Sequence, residues 1–333
     1  MMKRILMLYN TTIPYKRQVP DQKDFIWGDC KFVFDPNKDY DYLVGTIRDV
    51  IESKVPKERC ILFLSEPPMI FKYKESFLKQ YGHVYGCHQD LVKKGLINDS
   101  FSIMIWMAGC TFNPQKNIWE PDGATYSQMK TMEICAENRM DKACIVASNK
   151  SKTPGHKERV SFINRILENN SDLVDVYGTG FKPIGDKLEL YSRYKYVLTL
   201  ENCQYHNYWT EKLADTYLAG AFPLYYGCPN VEDYFSKDSY TPIDINDYDT
   251  TIKTLKSHIK NKVFENSLTA IKEARDEVLD HYNYFSMVRD IVDEIEKQNP
   301  PKFDNPSHRY IIKPQLSLSL WTRIKRRIFN DYR

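Results

Sequence analysis

The sequence predicts an α/β protein with two Rossmann-like domains that face a central cleft, followed by a basic tail. The chain has 333 residues, more than the roughly 250 to 300 at which a single hydrophobic core stops growing. Apolar runs typical of buried strands alternate with segments of helical periodicity in both halves, as in parallel βαβ units. Hydrophobic residues make up 42% and charged residues 27% of the chain, a composition that can fill a core and differs from that of disordered proteins.

Three short apolar runs predict strands in the first half. They lie at residues 3–9, 42–44 and 60–64, and each is followed by polar or turn-forming residues. The segment 106–124 is rich in Gly, Pro and Asn and is predicted to be a loop. We expect the domain boundary near or just after this loop, so that residues 1–140 form the N-terminal domain.

The second half repeats the pattern more clearly, and residues 141–300 are predicted to form the C-terminal domain. Val160, Ile163, Ile166 and Leu167 recur at helical spacing. Thr210 is a candidate N-cap for a second helix, and Gly220 is a candidate for its C-terminal cap. Further strands are predicted at residues 143–147, 173–177, 196–200 and 221–226, and further helices at residues 252–259 and 271–279.

Most of the positive charge lies in a tail, predicted at residues 301–333. Residues 302–333 contain eight Lys and Arg and two Asp, so this segment carries +6 and the rest of the chain carries −3 of the net +3. A slightly acidic body argues against nucleic-acid binding. Within residues 316–333, apolar side chains at helical spacing stand among basic ones, which is typical of a helix lying on an anionic membrane surface. The alternatives are a basic helix packed against the protein and a tail without fixed structure.

Several common functional motifs do not occur in the sequence. The eight cysteines are scattered and form no CxxC pair, so neither a zinc site nor a disulfide framework is predicted, and a reduced, cytosolic protein is expected. Gly178, Gly180 and Gly185 miss the G-x-G-x-x-G spacing of a dinucleotide site. The apolar runs are too short for a membrane span or a signal peptide. Two D-x-D patterns, at residues 39–41 and 247–249, are weak metal-binding candidates in a chain with 44 acidic residues.

Glu66 stands at the end of a predicted strand, where ligands bind in open α/β sheets. It follows the apolar run 60–64 and precedes Pro67 and Pro68, which fix the backbone. A partly buried carboxylate beside an interdomain cleft is suited to act as a general base. The alternative is a strand-end glutamate that caps a turn or pairs with a lysine.

Arg159 lies near the start of a predicted helix, after the turn-rich segment 148–151. Free N–H groups at a helix start attract anions, and the guanidinium fork is suited to a diphosphate. The alternative is a solvated basic first turn.

A third strand end combines acidic, aromatic and basic residues. Residues 199–202 are followed by the aromatic loop 205–209 and by a helix that opens with Glu211 and Lys212. Glu211 can hold sugar hydroxyls, Lys212 can reach a phosphate, and the tyrosines can line a ring-binding wall. This combination fits a nucleotide sugar. The alternative is an ordinary capped helix with a Glu-Lys pair in its first turn.

Motifs between residues 194 and 231 follow one another in a specific order and spacing. They are Tyr194-Lys195-Tyr196, Glu201-Asn202, Tyr208-Trp209-Thr210-Glu211-Lys212, and the segment from Leu218-Ala219-Gly220 to Pro229-Asn230-Val231. This order resembles the donor-binding signature of the alpha-1,3/4-fucosyltransferases, glycosyltransferase family ten, in its bacterial type. The resemblance extends to Arg159 and, more faintly, to Ser65-Glu66-Pro67-Pro68, which is similar to the family's E-S-P segment. Trp209 departs from the pattern, since the family usually has Val there, and Leu64-Ser65 replaces an aromatic residue.

The resemblance implies a GT-B type fold, with an N-terminal acceptor domain and a C-terminal donor domain. It implies that Arg159 and Lys212 contact the diphosphate of GDP-fucose. It also implies that Asn202, Tyr208 and Glu211 complete the donor site.

The implied reaction is the inverting transfer of L-fucose from GDP-fucose to a hydroxyl of a glycan acceptor, in an alpha-1,3 or alpha-1,4 linkage. Glu66 is the implied catalytic base, while Arg159 and Lys212 stabilise the leaving diphosphate. No metal is then required, although a divalent ion could stimulate transfer. An enzyme of this type would serve surface polysaccharide or lipopolysaccharide synthesis, in the cytoplasm or on the inner face of the membrane.

Two other functions stay open at this point. Trp209 is expected beside the donor sugar, where it could reshape the pocket for a different nucleotide sugar. The other function is that of a membrane-associated carbohydrate-binding protein without turnover, which the presence of Glu66, Arg159 and Lys212 disfavours.

Overall fold

The computed structural model describes residues 2–8, 13–47, 49–102, 105–113, 115–116, 118–151, 154–298 and 309–315. The amphipathic helix expected within residues 316–333 lies outside these residues. Among the described helices, none is long and apolar enough to cross a membrane.

The strands are short, and most of them belong to two sheets. They are β1 (Lys3–Met7), β2 (Ile26–Trp27), β3 (Cys30–Val33), β4 (Tyr42–Val44), β5 (Ile51–Ser53), β6 (Cys60–Phe63), β7 (His83–Gly86), β8 (Asn98–Asp99), β9 (Cys110–Asn113), β10 (Ile118–Gly123), β11 (Met140–Val146), β12 (Val174–Tyr177), β13 (Tyr194–Leu200), β14 (Phe222–Tyr226), β15 (Thr241–Pro242) and β16 (Tyr310–Ile312).

The longer helices lie in the second half of the chain. The α-helices are α1 (Glu75–Leu78), α2 (Gln89–Lys93), α3 (Tyr126–Thr131), α4 (Pro154–Asn169), α5 (Lys187–Tyr191), α6 (Glu211–Leu218), α7 (Tyr248–Lys260), α8 (Val263–Asn266), α9 (Leu268–Asp280) and α10 (Tyr284–Lys297). Short 3₁₀ helices lie at Tyr15–Gln18, Lys57–Arg59, Val231–Asp233 and Lys237–Ser239.

The N-terminal sheet has seven strands in the order β2-β3-β1-β4-β6-β7-β8. All neighbours are parallel except β2 and β3, which are antiparallel. The strands predicted at residues 3–9, 42–44 and 60–64 correspond to β1, β4 and β6; β4 has the predicted bounds, while β1 and β6 are shorter. β6 ends just before the Leu64-Ser65-Glu66 segment, so the carboxyl edge of this sheet carries Glu66.

The C-terminal sheet has five parallel strands in the order β12-β11-β13-β14-β15. Every residue of the central strand β13 is buried, as expected for a parallel strand covered by helices on both faces. The chain passes from β12 on one side of β11 to β13 on the other, so the strand order reverses between β11 and β13. A crevice for ligands opens at such a switch point, beyond the carboxyl ends of these two strands.

Sequence signals for the helices around this switch point are confirmed in part. Helix α4 buries Ile163 and Ile166 as predicted, but it also buries Phe162, while Val160 is half-buried and Leu167 is exposed. Thr210 is the N-cap of α6, and its side chain accepts a hydrogen bond from the Lys212 backbone N–H. Gly220 follows this helix with φ +66°, a left-handed conformation that glycine adopts without strain.

The chain returns to the N-terminal domain after the C-terminal sheet is complete. The Lys3 ammonium group lies 2.5 Å from Asp293 on α10, and the Tyr42 hydroxyl donates to Glu296 on the same helix at 2.5 Å. Strand β16 then pairs antiparallel with β5. The expected division assigns residues 141–300 to the C-terminal domain, but α10 packs on the N-terminal sheet and β16 lies against the N-terminal domain.

The segment 106–124 is not the loop that its Gly, Pro and Asn content predicts. Strands β9 and β10 form an antiparallel pair within it. Phe112 and Trp119 make an edge-to-face contact across the pair at 5.3 Å between ring centroids, and Asn113 donates to Glu120 at 2.7 Å. Aromatic pairing across two strands outweighs the turn-forming composition here.

Candidate active site

The predicted site residues of the C-terminal domain gather at the switch point between β11 and β13. Helix α4 follows β11 and carries Arg159, while Asn202 and helix α6 follow β13. A Cβ atom at Gly155, in the first turn of α4, would lie 2.5 Å from the Asn202 carbonyl oxygen. The glycine therefore permits the start of α4 to lie directly against the end of β13.

Arg159 points from α4 toward the end of β13. Its Nη1 donates to the Asn202 side-chain oxygen at 2.8 Å. The residue is only 5% exposed, and its Nε has no hydrogen-bond partner among the described residues. Buried donors of a guanidinium group are normally satisfied, so this arrangement leaves a donor for a bound anion.

Lys212 lies at the first turn of α6, where its ammonium group is surrounded by oxygens. Lys212 Nζ is 3.1 Å from Glu201 Oε2, 3.1 Å from Thr210 Oγ1 and 3.5 Å from Glu211 Oε1. Burial lowers the pKa of Lys212, but the Glu201 and Glu211 carboxylates outweigh that effect and raise it above the ordinary value. Lys212 is therefore a fixed positive charge beside the amino end of the helix, where anions are favoured.

Glu211 is an ionised carboxylate at the same helix end. Burial raises its pKa, yet the Lys212 and Lys187 ammonium groups outweigh burial and leave the pKa below the ordinary value. The residue is 8% exposed, and its Oε2 has no hydrogen-bond partner among the described residues. A buried, charged acceptor of this kind is suited to the hydroxyl groups of a sugar.

Glu66 and Tyr208 belong to the same electrostatic environment as the α6 residues. Burial raises the pKa of Glu66, the nearby Lys212 lowers it in part, and Glu211 and Glu201 raise it further. The structure thus brings Glu66, from the N-terminal sheet, near the α6 end of the C-terminal sheet. Tyr208 is fully buried, and burial together with Glu201, Glu66 and Glu211 raises its pKa, which keeps its hydroxyl protonated.

Most of the C-terminal domain matches a known family. Residues 136–269 match the family described as Glycosyltransferase family 10 (fucosyltransferase) C-term. The matched residues contain the Arg159, Asn202, Tyr208, Glu211 and Lys212 positions described above.

Comparisons with individual proteins give one sequence relative and two solved structures that are similar to this chain. An alpha-(1,3)-fucosyltransferase of Helicobacter pylori is 35% identical over 74 residues, which cover 22% of this chain and 16% of the relative's length. Two solved structures of alpha1,3-fucosyltransferase, one of them with GDP-fucose, superpose with TM-scores of 0.52 and 0.51 at 16% identity. They cover 92% and 91% of this chain and 92% and 93% of the solved chains. The predicted GT-B type fold is thereby confirmed.

The loop 203–209 joins the two domains through alternate residues. Odd-numbered residues face the N-terminal domain, while Tyr208 faces the site. The interdomain contacts are Cys203 Sγ to Met69 Sδ at 3.4 Å, Gln89 N to the Tyr205 hydroxyl at 3.3 Å, Asn207 Nδ2 to Asp99 Oδ1 at 2.8 Å, and Trp209 stacked on Phe101 at 4.4 Å. The loop therefore forms part of the interface between the domains as well as part of the site.

Trp209 packs in an aromatic cluster and not against a sugar pocket. Its ring is nearly parallel to that of Phe101, at 9°, and meets Tyr234, Phe235 and Tyr282 edge to face. It is 2% exposed. These four rings surround the indole, so the expectation that Trp209 lies beside the donor sugar is corrected.

Sequence reasoning assigned no role to two buried carboxylates near the site. Glu201 accepts from the Thr210 hydroxyl at 2.8 Å and pairs with Lys212 at 3.1 Å. Asp215, on the second turn of α6, accepts from the backbone N–H groups of Met107 and Ala108, at 2.9 Å each, and pairs with Lys187 at 2.7 Å. The sequence signals for Glu201 were its position at a strand end and its place in the Glu201-Asn202 motif, and none pointed to Asp215.

The D-x-D patterns have structural partners. Asp41 accepts hydrogen bonds from Arg4 at 2.9 Å, and the Asp247 side chain accepts from the Thr250 backbone N–H as the N-cap of α7. Within the described part of the chain, no group of three or more His, Cys, Asp or Glu side chains is arranged to hold a metal ion.

Proposed function

We propose that the protein is an inverting fucosyltransferase that moves L-fucose from GDP-fucose to a hydroxyl of a glycan acceptor, in an alpha-1,3 or alpha-1,4 linkage. One observation carries the proposal: Arg159 and Lys212 present positive charge at the switch point while Glu66 shares the electrostatic environment of that site. The match to family 10 supports the same function. The chain spans 16% of the curated Helicobacter pylori relative.

The donor is held by residues from both sides of the switch point. Arg159 and Lys212 contact the diphosphate, since buried guanidinium and ammonium groups beside helix starts are suited to anions. Glu211 accepts hydrogen bonds from fucose hydroxyls through its unpartnered Oε2. Asn202 orients Arg159 through their 2.8 Å hydrogen bond, and Tyr208 forms a protonated wall of the pocket.

Transfer proceeds by displacement at the anomeric carbon of fucose. Glu66 takes the proton of the acceptor hydroxyl while that oxygen forms its bond to the carbon from the face opposite GDP. The bond from the anomeric carbon to the phosphate oxygen breaks, and GDP leaves with the electron pair. Because burial raises the pKa of Glu66, the carboxylate is a stronger base than an exposed glutamate. Arg159 and Lys212 stabilise the charge that develops on the leaving diphosphate.

The position of Trp209 favours fucose over another nucleotide sugar. The alternative donor rested on a tryptophan beside the sugar, and the aromatic cluster removes that reason. Purified protein supplied with GDP-fucose, GDP-mannose or UDP-sugars and a panel of glycan acceptors tests the donor and the activity together. Transfer from GDP-fucose supports the proposal; binding of GDP-fucose without transfer to any acceptor would favour a carbohydrate-binding protein instead.

Transfer should not depend on a divalent metal. Two cations, Arg159 and Lys212, already face the diphosphate, so charge on the leaving group is stabilised without an added ion. We expect the rate of fucose transfer to fall less than about twofold when EDTA is added in excess, and added Mg²⁺ or Mn²⁺ to stimulate it modestly. A rate that collapses in EDTA and recovers with one of these ions would contradict this.

We further propose that the acceptor belongs to a surface polysaccharide or lipopolysaccharide, reached from the cytoplasmic face of the membrane. Part of the tail is fastened to the acceptor domain: Gln315 accepts from the Lys74 N–H at 2.9 Å and donates to the Lys72 carbonyl at 2.7 Å. The segment 316–333, which follows Gln315 and carries basic and apolar residues, would bring the acceptor domain to an anionic bilayer.

Deleting residues 316–333 should release the protein from anionic liposomes. The deletion leaves β16 and the Gln315 contacts in place, so transfer to a soluble acceptor is expected to stay within about twofold of the full chain. Co-sedimentation with liposomes of anionic and of neutral lipid measures the effect. Equal sedimentation of the full and shortened chains would refute a membrane role for the tail.

A further inference from the structure

Glu201 has a completely buried carboxylate that makes several short contacts within the site. It is 1% exposed and accepts hydrogen bonds through both oxygens. Oε1 accepts from the Thr210 backbone N–H at 2.8 Å. Oε2 accepts from the Thr210 hydroxyl at 2.8 Å and from Lys212 Nζ at 3.1 Å.

The Thr210 hydroxyl connects the Glu201 carboxylate to Lys212, and all of its hydrogen-bonding positions are occupied. Its single hydrogen points to Glu201, because its two lone pairs face the Lys212 backbone N–H at 3.3 Å and Lys212 Nζ at 3.1 Å. A hydroxyl has one donor and two acceptor positions, and all three are used. Oε2 of Glu201 therefore has to accept hydrogen bonds from both the Thr210 hydroxyl and the Lys212 ammonium group. The amide nitrogen of a glutamine, placed at that position, would face these two donors and could accept from neither.

The surrounding chain leaves space for this carboxylate. A Cβ atom at Gly227 would lie 2.5 Å from Glu201 Cγ and 2.4 Å from the Tyr225 hydroxyl. The φ angle of Gly227 is not in the left-handed region. The glycine is therefore needed because a larger side chain would collide with Glu201, and not because of its backbone conformation. The Glu201 backbone N–H also donates to the Tyr226 carbonyl at 2.8 Å, which fixes the origin of the side chain at the end of β13.

Charged and titratable groups face Glu201 from every side. Without Glu201, the two cations Arg159 and Lys212 would stand in a site of low polarity with fewer counter-charges. Glu201 is the largest influence that raises the pKa of Lys212 against the effect of burial. The facing groups are Lys212 and Glu211 on α6, Arg159 on α4, Glu66 from the N-terminal domain, Cys203 and Tyr208 in the loop, and Tyr225 and Cys228 at the end of β14.

We infer that Glu201 is a positioning residue that fixes the Lys212 ammonium group at the amino end of α6, where it meets the diphosphate. The inference rests on the proposed function, because it assumes that a nucleoside diphosphate binds at this helix end. Glu201 does not touch the donor itself. It acts through Lys212 and the Thr210 cap, and it keeps the flexible lysine side chain both charged and in place.

Glu201→Gln should make GDP binding sensitive to alkaline pH. Loss of the carboxylate lowers the pKa of Lys212, so the ammonium form, present below that pKa, is lost as pH rises through it. We expect the variant's affinity for GDP, relative to wild type, to fall about threefold or more between about pH 7 and about pH 9. The double variant Glu201→Gln/Lys212→Arg should not show this fall, because a guanidinium group stays protonated throughout. Calorimetric titration of GDP at each pH measures all three proteins.

The outcomes separate this inference from the proposed function. Wild-type protein that does not bind GDP would overturn the proposed function. If wild type binds GDP and the GDP affinity of Glu201→Gln has the wild-type pH profile, or is reduced by the same factor at every pH, the positioning role alone would be overturned.

If Glu201→Gln does not fold, Gly227→Ala displaces Glu201 without removing a charge. That variant should lose about tenfold or more in GDP affinity, while Gly185→Ala, which meets no neighbouring atom, should lose none; equal affinities would overturn the inference.

Discussion

Replacement of Glu66 by Gln is expected to lower the rate of fucose transfer by about 10²-fold to 10⁴-fold, the usual contribution of a positioned base. Glutamine has nearly the same shape but does not accept the proton of the acceptor hydroxyl. The affinity for GDP should stay within about twofold, because Glu66 lies on the N-terminal domain while the diphosphate contacts lie on α4 and α6. Initial rates with GDP-fucose and calorimetry with GDP separate the two effects.

The pH dependence gives a second measure of Glu66. Transfer by wild type should rise as pH increases through the pKa of Glu66, which burial places above the ordinary glutamate value, since the base acts in its deprotonated form. Glu66→Gln should lack this rise. Glu75→Gln is a matched control, because Glu75 is a glutamate of the same domain that pairs with Lys94 at the surface. Near-normal turnover in Glu66→Gln would exclude Glu66 as the base.

Replacement of Lys212 or Arg159 by Ala is expected to weaken the binding of GDP-fucose by about tenfold or more, because each removes a charge-assisted contact to the diphosphate. Calorimetry with GDP and GDP-fucose measures the loss. Lys253→Ala removes a lysine from the exposed face of α7 and serves as the control. Unchanged affinity in both variants would place the donor elsewhere on the molecule.

Lys212→Ala should also reduce stability, which its binding measurement has to take into account. The variant leaves Glu201 fully buried without its counter-charge, and removing one partner of a buried ion pair typically costs about 3 to 5 kcal/mol. Thermal unfolding of the variant shows the temperature below which binding can be compared. Arg159→Ala, which leaves the neutral Asn202 unpaired, should lose less stability than Lys212→Ala.

The C-terminal sheet was more predictable from sequence than the N-terminal one. Strands β11 to β14 lie in long apolar runs between clear turns and caps, so local composition was sufficient to find them. β3, β5 and β7 are three or four residues long, and runs of that length do not differ from loops in composition. Helix α10 has an apolar face, but its placement on the N-terminal sheet depends on contacts such as Lys3 with Asp293, which are 290 residues apart in the chain.

The same limit applies to the site residues. Lys212 and Arg159 were predictable because helix starts attract anions wherever they occur. Trp209 was misplaced because neighbouring residues of a loop can point in opposite directions, and sequence adjacency to Tyr208 does not show which of them faces the site. Glu201 was overlooked because its importance lies in a contact with Thr210 and Lys212 that only the folded chain forms.

The return of the chain to its first domain has a consequence for folding during synthesis. Helix α10 supplies Phe285, which packs on Phe32 and Tyr15 in the N-terminal core, and β16 covers the edge of β5. These residues leave the ribosome after the whole C-terminal sheet. Domains generally fold as units in the order of their synthesis, but here the half that is made first is completed last. The C-terminal half can therefore mature while the N-terminal half still exposes an unfinished apolar surface.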